Sequence, residues 1–388
     1  MTKFLTLVAA LSAASLMAPA MQAQTSANAP ASSVFKVVPT PNGHAKPFNN
    51  DLHSASGSSA SDIWAVGQTA IHFDGTKWTA FSVPMIKGDN TSRLGGVVDL
   101  APNNAWAVGL IGIGTGQNNQ VIEHFDGTKW SVSTGPTFQP GAAPSLESLT
   151  AISPSDMWAA GFILTADTPP ALLPLFEHFD GTSWTAFEDQ SSNDATMFGV
   201  SADATNDVWA VGSAALAQTF IEHFDGKTWS MVPSPSPGLG QNVLFGVTAL
   251  APNDAWAVGY FVQQVNTTRP AKTLIEHWDG KAWHIVPSPN VGPKSVFQSN
   301  QLYGITAVSA KDIWAFGSFF AADGSNQQFT LVLHWDGTRW KIAPSPSPTH
   351  IKGFTSDILF GGTVIPTGDL WLVGDEFTRT LALHATGQ

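Results

Sequence analysis

Histidine recurs along this 388-residue chain at a spacing that could serve chemistry. One histidine stands in each of seven similar segments: His72, His124, His178, His223, His277, His334 and His384. Imidazole nitrogens bind zinc at about 2.1 Å, so such a set is compatible with a metal site. Stacked sheets, however, lie about 10 Å apart, so one histidine per segment cannot converge on one ion. We therefore expect each histidine to hydrogen-bond a turn of its own segment, and we expect no metal and no cofactor.

Five charged residues are the candidates for ligand binding. Arg93, Arg269 and Arg379, three of only four arginines, fall in segments predicted as loops. Guanidinium groups bind carboxylates by paired hydrogen bonds, so a cluster of these three would suit an acidic sugar or a peptide carboxylate. Asp375 and Glu376 are the acidic candidates, because glycoside hydrolysis needs two carboxyl groups about 5–9.5 Å apart. No motif assigns a catalytic residue.

Short strands must position these residues. Residues 244–289 predict four strands, over residues 244–250, 255–262, 273–278 and 282–286. Asp279-Gly280 marks a hairpin, because glycine tolerates the positive φ that such turns need. One four-stranded sheet cannot bury both of its faces, so it must stack on copies of itself.

The chain repeats this unit about seven times. The second-strand tryptophans are Trp64, Trp106, Trp158, Trp209, Trp256, Trp314 and Trp371. A repeat of about 50 residues with four strands is typical of propellers. The last copy lacks a fourth strand, and residues 35–42 resemble one. We predict an all-β, seven-bladed β-propeller of four-stranded antiparallel blades, with the last blade closed by an N-terminal strand.

Residue sizes in the first strands indicate how the blades meet. Counting back from the tryptophans gives one small residue per blade: Ser54, Gly96, Ser148, Gly199, Gly246, Gly304 and Gly361. Small residues allow close backbone approach near the ring axis. We expect the tryptophans to be buried between blades, and the aspartates of the Asp-x-Trp turns to form Asx-type turns. A role for the outer tryptophans as sugar platforms, as in lectin propellers, stays open.

The pattern resembles a known group of proteins. Asp254-Ala255-Trp256-Ala257-Val258-Gly259 and His277-Trp278-Asp279-Gly280, followed by Trp283, look like secreted bacterial β-propeller repeats of the kelch and galactose-oxidase-like superfamily. The Asp-Gly-x-x-Trp turn is similar to the Asp-box of sialidase-like propellers, without its leading Ser. The copper chemistry of galactose oxidase needs a Cys-Tyr pair, and this chain has no Cys. The resemblance therefore implies the fold and carries no chemistry over.

Composition and the N-terminal residues indicate the cellular compartment of the protein. Residues 1–23 have the charged start, apolar run and small-residue exit of a signal peptide, and residues 24–33 predict a disordered leader. Residues 34–388 predict a single β-propeller domain. The apolar run is too short to span a membrane. We predict a secreted or periplasmic monomer, and a net charge of −12 argues against nucleic-acid binding.

Loop lengths indicate where a partner binds. The second-to-third loops and the connections between blades lie on one face, and they are long and dissimilar. Variable loops on a rigid scaffold commonly carry binding. We favour a non-enzymatic binding propeller that recognises a glycan or an extracellular protein on this face. The alternative is a glycan-active hydrolase or lyase with loop carboxylates as acid and base.

Overall fold

The computed structural model describes residues 34–43, 50–84, 92–112, 118–188, 194–264, 270–292, 298–321, 325–348 and 356–387. They fold into seven four-stranded antiparallel sheets and belong to one compact unit, residues 32–388. The seven-bladed β-propeller is thereby confirmed. The predicted signal peptide, the predicted leader and Arg269 lie outside the described residues.

Each blade contributes one strand to each of two inner layers. The first strands, which line the axis, are β2 (Leu52–Ser59), β6 (Arg93–Ala101), β10 (Ala143–Ser153), β14 (Ala195–Ala204), β18 (Asn242–Ala251), β22 (Asn300–Ser309) and β26 (Asp357–Val364). The second strands are β3 (Asp62–Gly67), β7 (Asn104–Gly112), β11 (Asp156–Leu164), β15 (Asp207–Ala214), β19 (Asp254–Val262), β23 (Asp312–Phe320) and β27 (Leu370–Glu376).

The two outer layers complete the blades. The third strands are β4 (Ala70–Phe73), β8 (Asn118–Phe125), β12 (Leu172–Phe179), β16 (Gln218–Phe224), β20 (Ala271–Trp278), β24 (Gln328–Trp335) and β28 (Arg379–Ala385). The fourth strands are β5 (Trp78–Phe81), β9 (Trp130–Val132), β13 (Trp184–Glu188), β17 (Trp229–Met231), β21 (Trp283–Ile285), β25 (Trp340–Ala343) and β1 (Lys36–Val37). One 3-10 turn, Ala215–Ala217, precedes β16. The four strands predicted for residues 244–289 match β18 to β21 within two residues at each end.

The last blade is closed by the N-terminal strand, as predicted. β1 pairs antiparallel with β28, with Lys36 opposite His384. The next residues extend the contact: the Thr380 hydroxyl donates to the Thr40 hydroxyl over 2.8 Å, and the Thr380 amide donates to Asn42 over 3.1 Å. Trp371 of the same blade packs on Phe73 of the first blade at 4.7 Å between ring centroids. These contacts join the two ends of the ring.

The repeated histidines bond to their own blades, as predicted. Each Nε2 donates, over 2.5–3.1 Å, to the residue that begins the second strand or, in the last blade, immediately precedes it. The acceptors are Asp62, Asn104, Asp156, Asp207, Asp254, Asp312 and Asp369. Each imidazole also lies 4.1–4.7 Å from the second-strand tryptophan. Each histidine is therefore tied to the first turn of its own blade and packs against the second-strand tryptophan of that blade.

The Asx-type bonds belong to other aspartates than the ones predicted. In the first Asp-Gly hairpin, Asp74 Oδ1 accepts from the amides of Thr76 and Lys77 at 2.8 and 2.9 Å. The same bonds recur at Asp126, Asp180, Asp225, Asp279 and Asp336. The glycine that follows Asp74 has φ 88°, as the turn requires. The Asp-x-Trp aspartates instead accept the histidine proton, because the third strand brings that imidazole next to them.

Candidate functional site

A β-bulge interrupts each first strand at the same place. The pairing with the second strand skips one residue in every blade: His53, Gly95, Glu147, Phe198, Phe245, Tyr303 and Phe360. We call these seven residues the bulge ring. A bulge re-aims a side chain away from the regular alternation of the strand. Here it leaves the preceding leucine or methionine in the blade core and directs the bulge residue towards the axis.

The bulge ring lines a central channel. All seven of its residues contribute to a cavity of about 670 Å³ that the first strands enclose. Six of the seven small residues predicted at this level also line it, all but Gly96. The backbones are close there, since a Cβ on Gly96 would stand 2.5 Å from the amide nitrogen of Leu149. Each bulge lies in the first half of its strand, so the ring lies towards the face with the blade-to-blade connections. We call this the loop face.

Five neighbouring blades give the ring a continuous aromatic arc. Ring centroids are 5.1 Å apart for Phe198 and Phe245, and 5.3 Å apart for Phe245 and Tyr303. Tyr303 and Phe360 are 5.3 Å apart, and Phe360 stacks on His53 at 5.0 Å. All five side chains are half-buried. Burial and the positive charge of Arg93 lower the pKa of His53 to about 3, so its imidazole is neutral at pH 7.

An ion pair lies on the side of the channel formed by the remaining two blades. The Arg93 guanidinium donates from Nη2 to Glu147 Oε1 over 2.8 Å and to Oε2 over 2.6 Å. Gly95 leaves room for this pair, since a Cβ there would stand 2.6 Å from the backbone oxygen of Glu147. Burial raises the pKa of Glu147, and Arg93 opposes that shift. A charged pair thus replaces aromatic side chains on one side of the channel.

Carboxyl groups gather where blades one and seven meet. One oxygen of Asp51 and one oxygen of Asp375 are buried without a hydrogen-bond partner among the described residues. Burial raises the pKa of Asp51 to about 6. Burial, and then the charges of Asp51 and Asp357, raise the pKa of Asp375 to about 9. Asp51 lines the channel, so the loop-face end of the channel carries one acceptor without a donor among the described residues.

The structure separates the five predicted ligand-binding residues. Arg93 lines the channel, whereas Arg379 and Glu376 line a cavity of about 320 Å³ beside the N-terminal strand. Asp375 and Glu376 are consecutive in β27, so their side chains point to opposite faces of the sheet. Arg269 lies outside the described residues. Within the described residues, Arg93 and Arg379 therefore do not share a cavity, and Asp375 and Glu376 do not flank one position.

The described residues hold neither a cluster of metal-ligating side chains nor a helix that could span a membrane. No group of three or more His, Asp or Glu side chains there is placed to hold a metal ion. No helix in the same residues is long and apolar enough to cross a membrane.

Sequence reasoning missed the bulge ring, although a signal existed. The predicted small residues stand one position after it, and the residue before them in each blade is one of four aromatic side chains, a histidine, a glutamate and a glycine. Strict strand alternation places that position on the packing face, away from the axis. The bulges break the alternation and bring two consecutive residues to the axis.

Comparisons with known proteins identify the fold. No protein-family model matches the chain, and no curated protein matches it in sequence. The structure of YCF48 bound to D1 peptide is similar with a TM-score of 0.54 at 14% identity, covering 92% of this chain and 96% of that one.

Two further solved structures match over only part of their own length. An extracellular domain of a one-component system from B. thetaiotaomicron gives a TM-score of 0.53 at 11% identity, covering 90% of this chain and 39% of that one. A GH74 xyloglucanase from Xanthomonas campestris gives 0.50 at 10%, covering 87% and 53%. Identities this low show the propeller fold alone, so the kelch and galactose-oxidase resemblance stays a prediction.

Proposed function

We propose that the protein is an extracytoplasmic, non-enzymatic binding propeller that takes a protein or glycan partner at the loop-face mouth of its channel. The observation that carries this proposal is the aromatic arc of the bulge ring. Four aromatic side chains and a histidine there are half-buried against an open channel. Half-exposed aromatic side chains near the centre of a concave surface are typical anchors for a partner.

The fold likenesses support a partner without identifying one. One similar propeller was solved with a peptide bound, and another is an extracellular domain. The predicted signal peptide supports an extracytoplasmic location. A monomer is consistent with this proposal, because each channel is enclosed by a single ring of blades.

Glycan hydrolysis is the second candidate, and one observation favours it. The pKa values of Asp51 and Asp375 are raised to about 6 and about 9, and carboxyl groups with separated pKa values are what acid–base catalysis uses. Asp375 is only 6% exposed, however, and does not line the channel. We therefore rank binding first.

A paired screen tests the proposal. The chain from residue 24 onwards is presented to a random peptide library and to a glycan array, together with a Phe245→Ala/Tyr303→Ala variant. We expect ligands that bind the unmodified chain and lose at least about tenfold in affinity on the variant, since truncated anchors cost about 1.4 kcal/mol or more. Met231→Ala is the matched control, because Met231 is 61% exposed on an outer strand.

The outcomes separate the candidates. Ligands that bind the double variant as well as the unmodified chain would move the site away from the channel mouth. Release of reducing sugar from a glycan, abolished by Asp51→Asn, would favour the hydrolase instead. No ligand from either library would count against a binding function.

A further inference from the structure

We propose, resting on the proposed function, that the channel mouth between blades one and seven receives a basic side chain, arginine or lysine, from an exposed segment of a protein partner. The site consists of Asp51, His53 and Phe360, with Asp375 behind them. It selects a cation through buried carboxylate acceptors and neutral aromatic rings. The partner is accordingly a basic peptide segment and not a neutral glycan.

The carboxylates supply the first argument. An oxygen of Asp51 and an oxygen of Asp375 are buried with no donor among the described residues. A buried acceptor without a donor destabilises the fold, and more so when it is charged. Ammonium and guanidinium groups carry only donors. Asp51 lines the channel and Asp375 lies behind it, so a basic side chain entering the channel would supply Asp51 with a hydrogen-bond donor and a positive charge.

The aromatic rings supply the second argument. Phe360 and His53 come from the same two blades as the carboxylates and stack at 5.0 Å. Asp375 pairs with Ile358, two residues before Phe360, and Asp51 stands two residues before His53. A cation within about 6 Å of an aromatic centroid is attracted by its ring. His53 is neutral and does not repel one.

The ion pair argues against an anionic ligand. Arg93 is the only arginine or lysine that lines the channel within the described residues. Its guanidinium already donates hydrogen bonds to both carboxylate oxygens of Glu147. A carboxylate ligand would have to displace that pair and would then meet Asp51. The chain as a whole carries a net charge of −12, which also steers basic partners towards it.

Four pentapeptides of the form acetyl-Gly-Ser-X-Ser-Gly-amide test the inference. X is arginine, lysine, citrulline or glutamate, and binding is measured by NMR titration. Citrulline matches arginine in shape and lacks its charge. We expect the arginine and lysine peptides to bind at least about tenfold tighter than the citrulline peptide, as expected for a charge-assisted hydrogen bond. The glutamate peptide should bind weakest.

Two variants locate the site. Asp51→Asn should remove most of the preference for arginine over citrulline, and Phe360→Leu should weaken both basic peptides several-fold. Asp167→Asn is the matched control, because it makes the same charge change beside a different cavity. Thermal melts confirm folding. The comparison of arginine with citrulline on the unmodified chain needs no variant at all.

The inference fails if arginine and citrulline peptides bind equally, or if Asp51→Asn leaves the preference intact. The proposed function survives that failure when the library screen still yields ligands that depend on Phe245 and Tyr303. Tight binding of a neutral glycan in that screen, with no peptide preference, would replace the basic segment with a sugar.

Discussion

The interfaces between blades and the bulge ring differ in how uniform they are. At the interfaces every blade presents the same second-strand tryptophan, packed on the histidine of its own blade at 4.1–4.7 Å. At the bulge ring the same backbone position carries His, Gly, Glu, Tyr or Phe. One fold therefore holds a region that repeats and a region that does not.

The difference follows from what each position faces. Each blade packs against a neighbouring blade of the same structure, so the same set of side chains can fill all seven interfaces. The channel presents no neighbour, so packing places few demands on the bulge residues. A rigid repeated scaffold with a free inner ring is suited to carrying a site whose chemistry is independent of the fold.

Removing the closing strand should produce the largest effect. Deletion of residues 34–42 removes β1, the buried ring of Phe35 and the bonds to Thr380. The first and last blades would then meet with an open edge and a missing outer layer. We expect loss of cooperative unfolding, measured by circular dichroism and calorimetry. A deletion variant that melts like the full domain would show that the ring closes without this strand.

A single interface tryptophan should come next. Trp256 is 3% exposed and lies 4.9 Å from Trp335 and 5.8 Å from Trp340 of the next blade. Trp256→Ala should cost about 3–5 kcal/mol of unfolding free energy, as expected for a buried large-to-small change. Urea unfolding measures the loss. Unchanged stability together with lost ligand binding would make the tryptophans a binding surface and reverse the roles of the two regions.

The repeating region could be predicted from the sequence, and the reason is physical. Strand count, blade number, N-terminal closure and the histidine bonds follow from residues that recur, such as Trp256, His277 and the Asp279-Gly280 hairpin. Each recurrence repeats the same packing constraint, so seven weak signals confirm one another. The strand bounds predicted for residues 244–289 were accurate within two residues for the same reason.

The candidate site could not be predicted in this way. The bulge at Phe245 is a backbone feature with no fixed residue type, and alternation alone places that residue in the core. The bond between Arg93 and Glu147 joins two blades, and the loop assignment of Arg93 gave no hint of it. Loop lengths favoured the loop face as the binding face, which stays a prediction, and the geometry of the mouth depends on contacts that do not repeat.

Buried glutamates are one departure from repetition inside the interfaces. Glu177 and Glu276 are 0% exposed where other blades carry Ile71, Leu333 or Leu383. Burial raises the pKa of each from 4.5 to about 8. Hydrogen bonding from Gln120 to Glu177 and from Ser234 to Glu276 opposes the effect of burial only in part. Both are therefore largely protonated at neutral pH in the folded protein.

This burial predicts a loss of stability as the pH rises. Between about pH 4.5 and about pH 8 the folded state keeps a proton that the unfolded chain releases. The stabilisation is complete below about pH 4.5 and is lost as the pH rises through about 8. Glu276→Gln keeps the shape and cannot ionise. We expect it to reduce the fall in unfolding free energy by about 1.4 kcal/mol between about pH 6 and about pH 7. An equally steep fall in the variant would mean that Glu276 ionises freely in the folded state.

The smallest effect on stability should come from the bulge ring. Phe245 is half-buried and packs on Phe198 and Tyr303 at 5.1 and 5.3 Å, whereas Phe176 is 1% exposed and stacks on Trp229 at 3.9 Å. The same substitution can therefore be made in both regions. Phe176→Leu should cost about 1–2 kcal/mol, and Phe245→Leu less than about 1 kcal/mol.

Ligand affinity should show the opposite order. Phe245→Leu removes an aromatic ring from the arc and should weaken the ligands found in the library screen, whereas Phe176→Leu should leave their affinity unchanged in the folded protein. Measuring both quantities on both variants makes each the control for the other. Equal losses of stability at the two sites would mean that the aromatic arc is a packing core that closes the channel. If the scaffold carries a separate binding site, substitutions in the aromatic arc should reduce stability little and ligand affinity strongly.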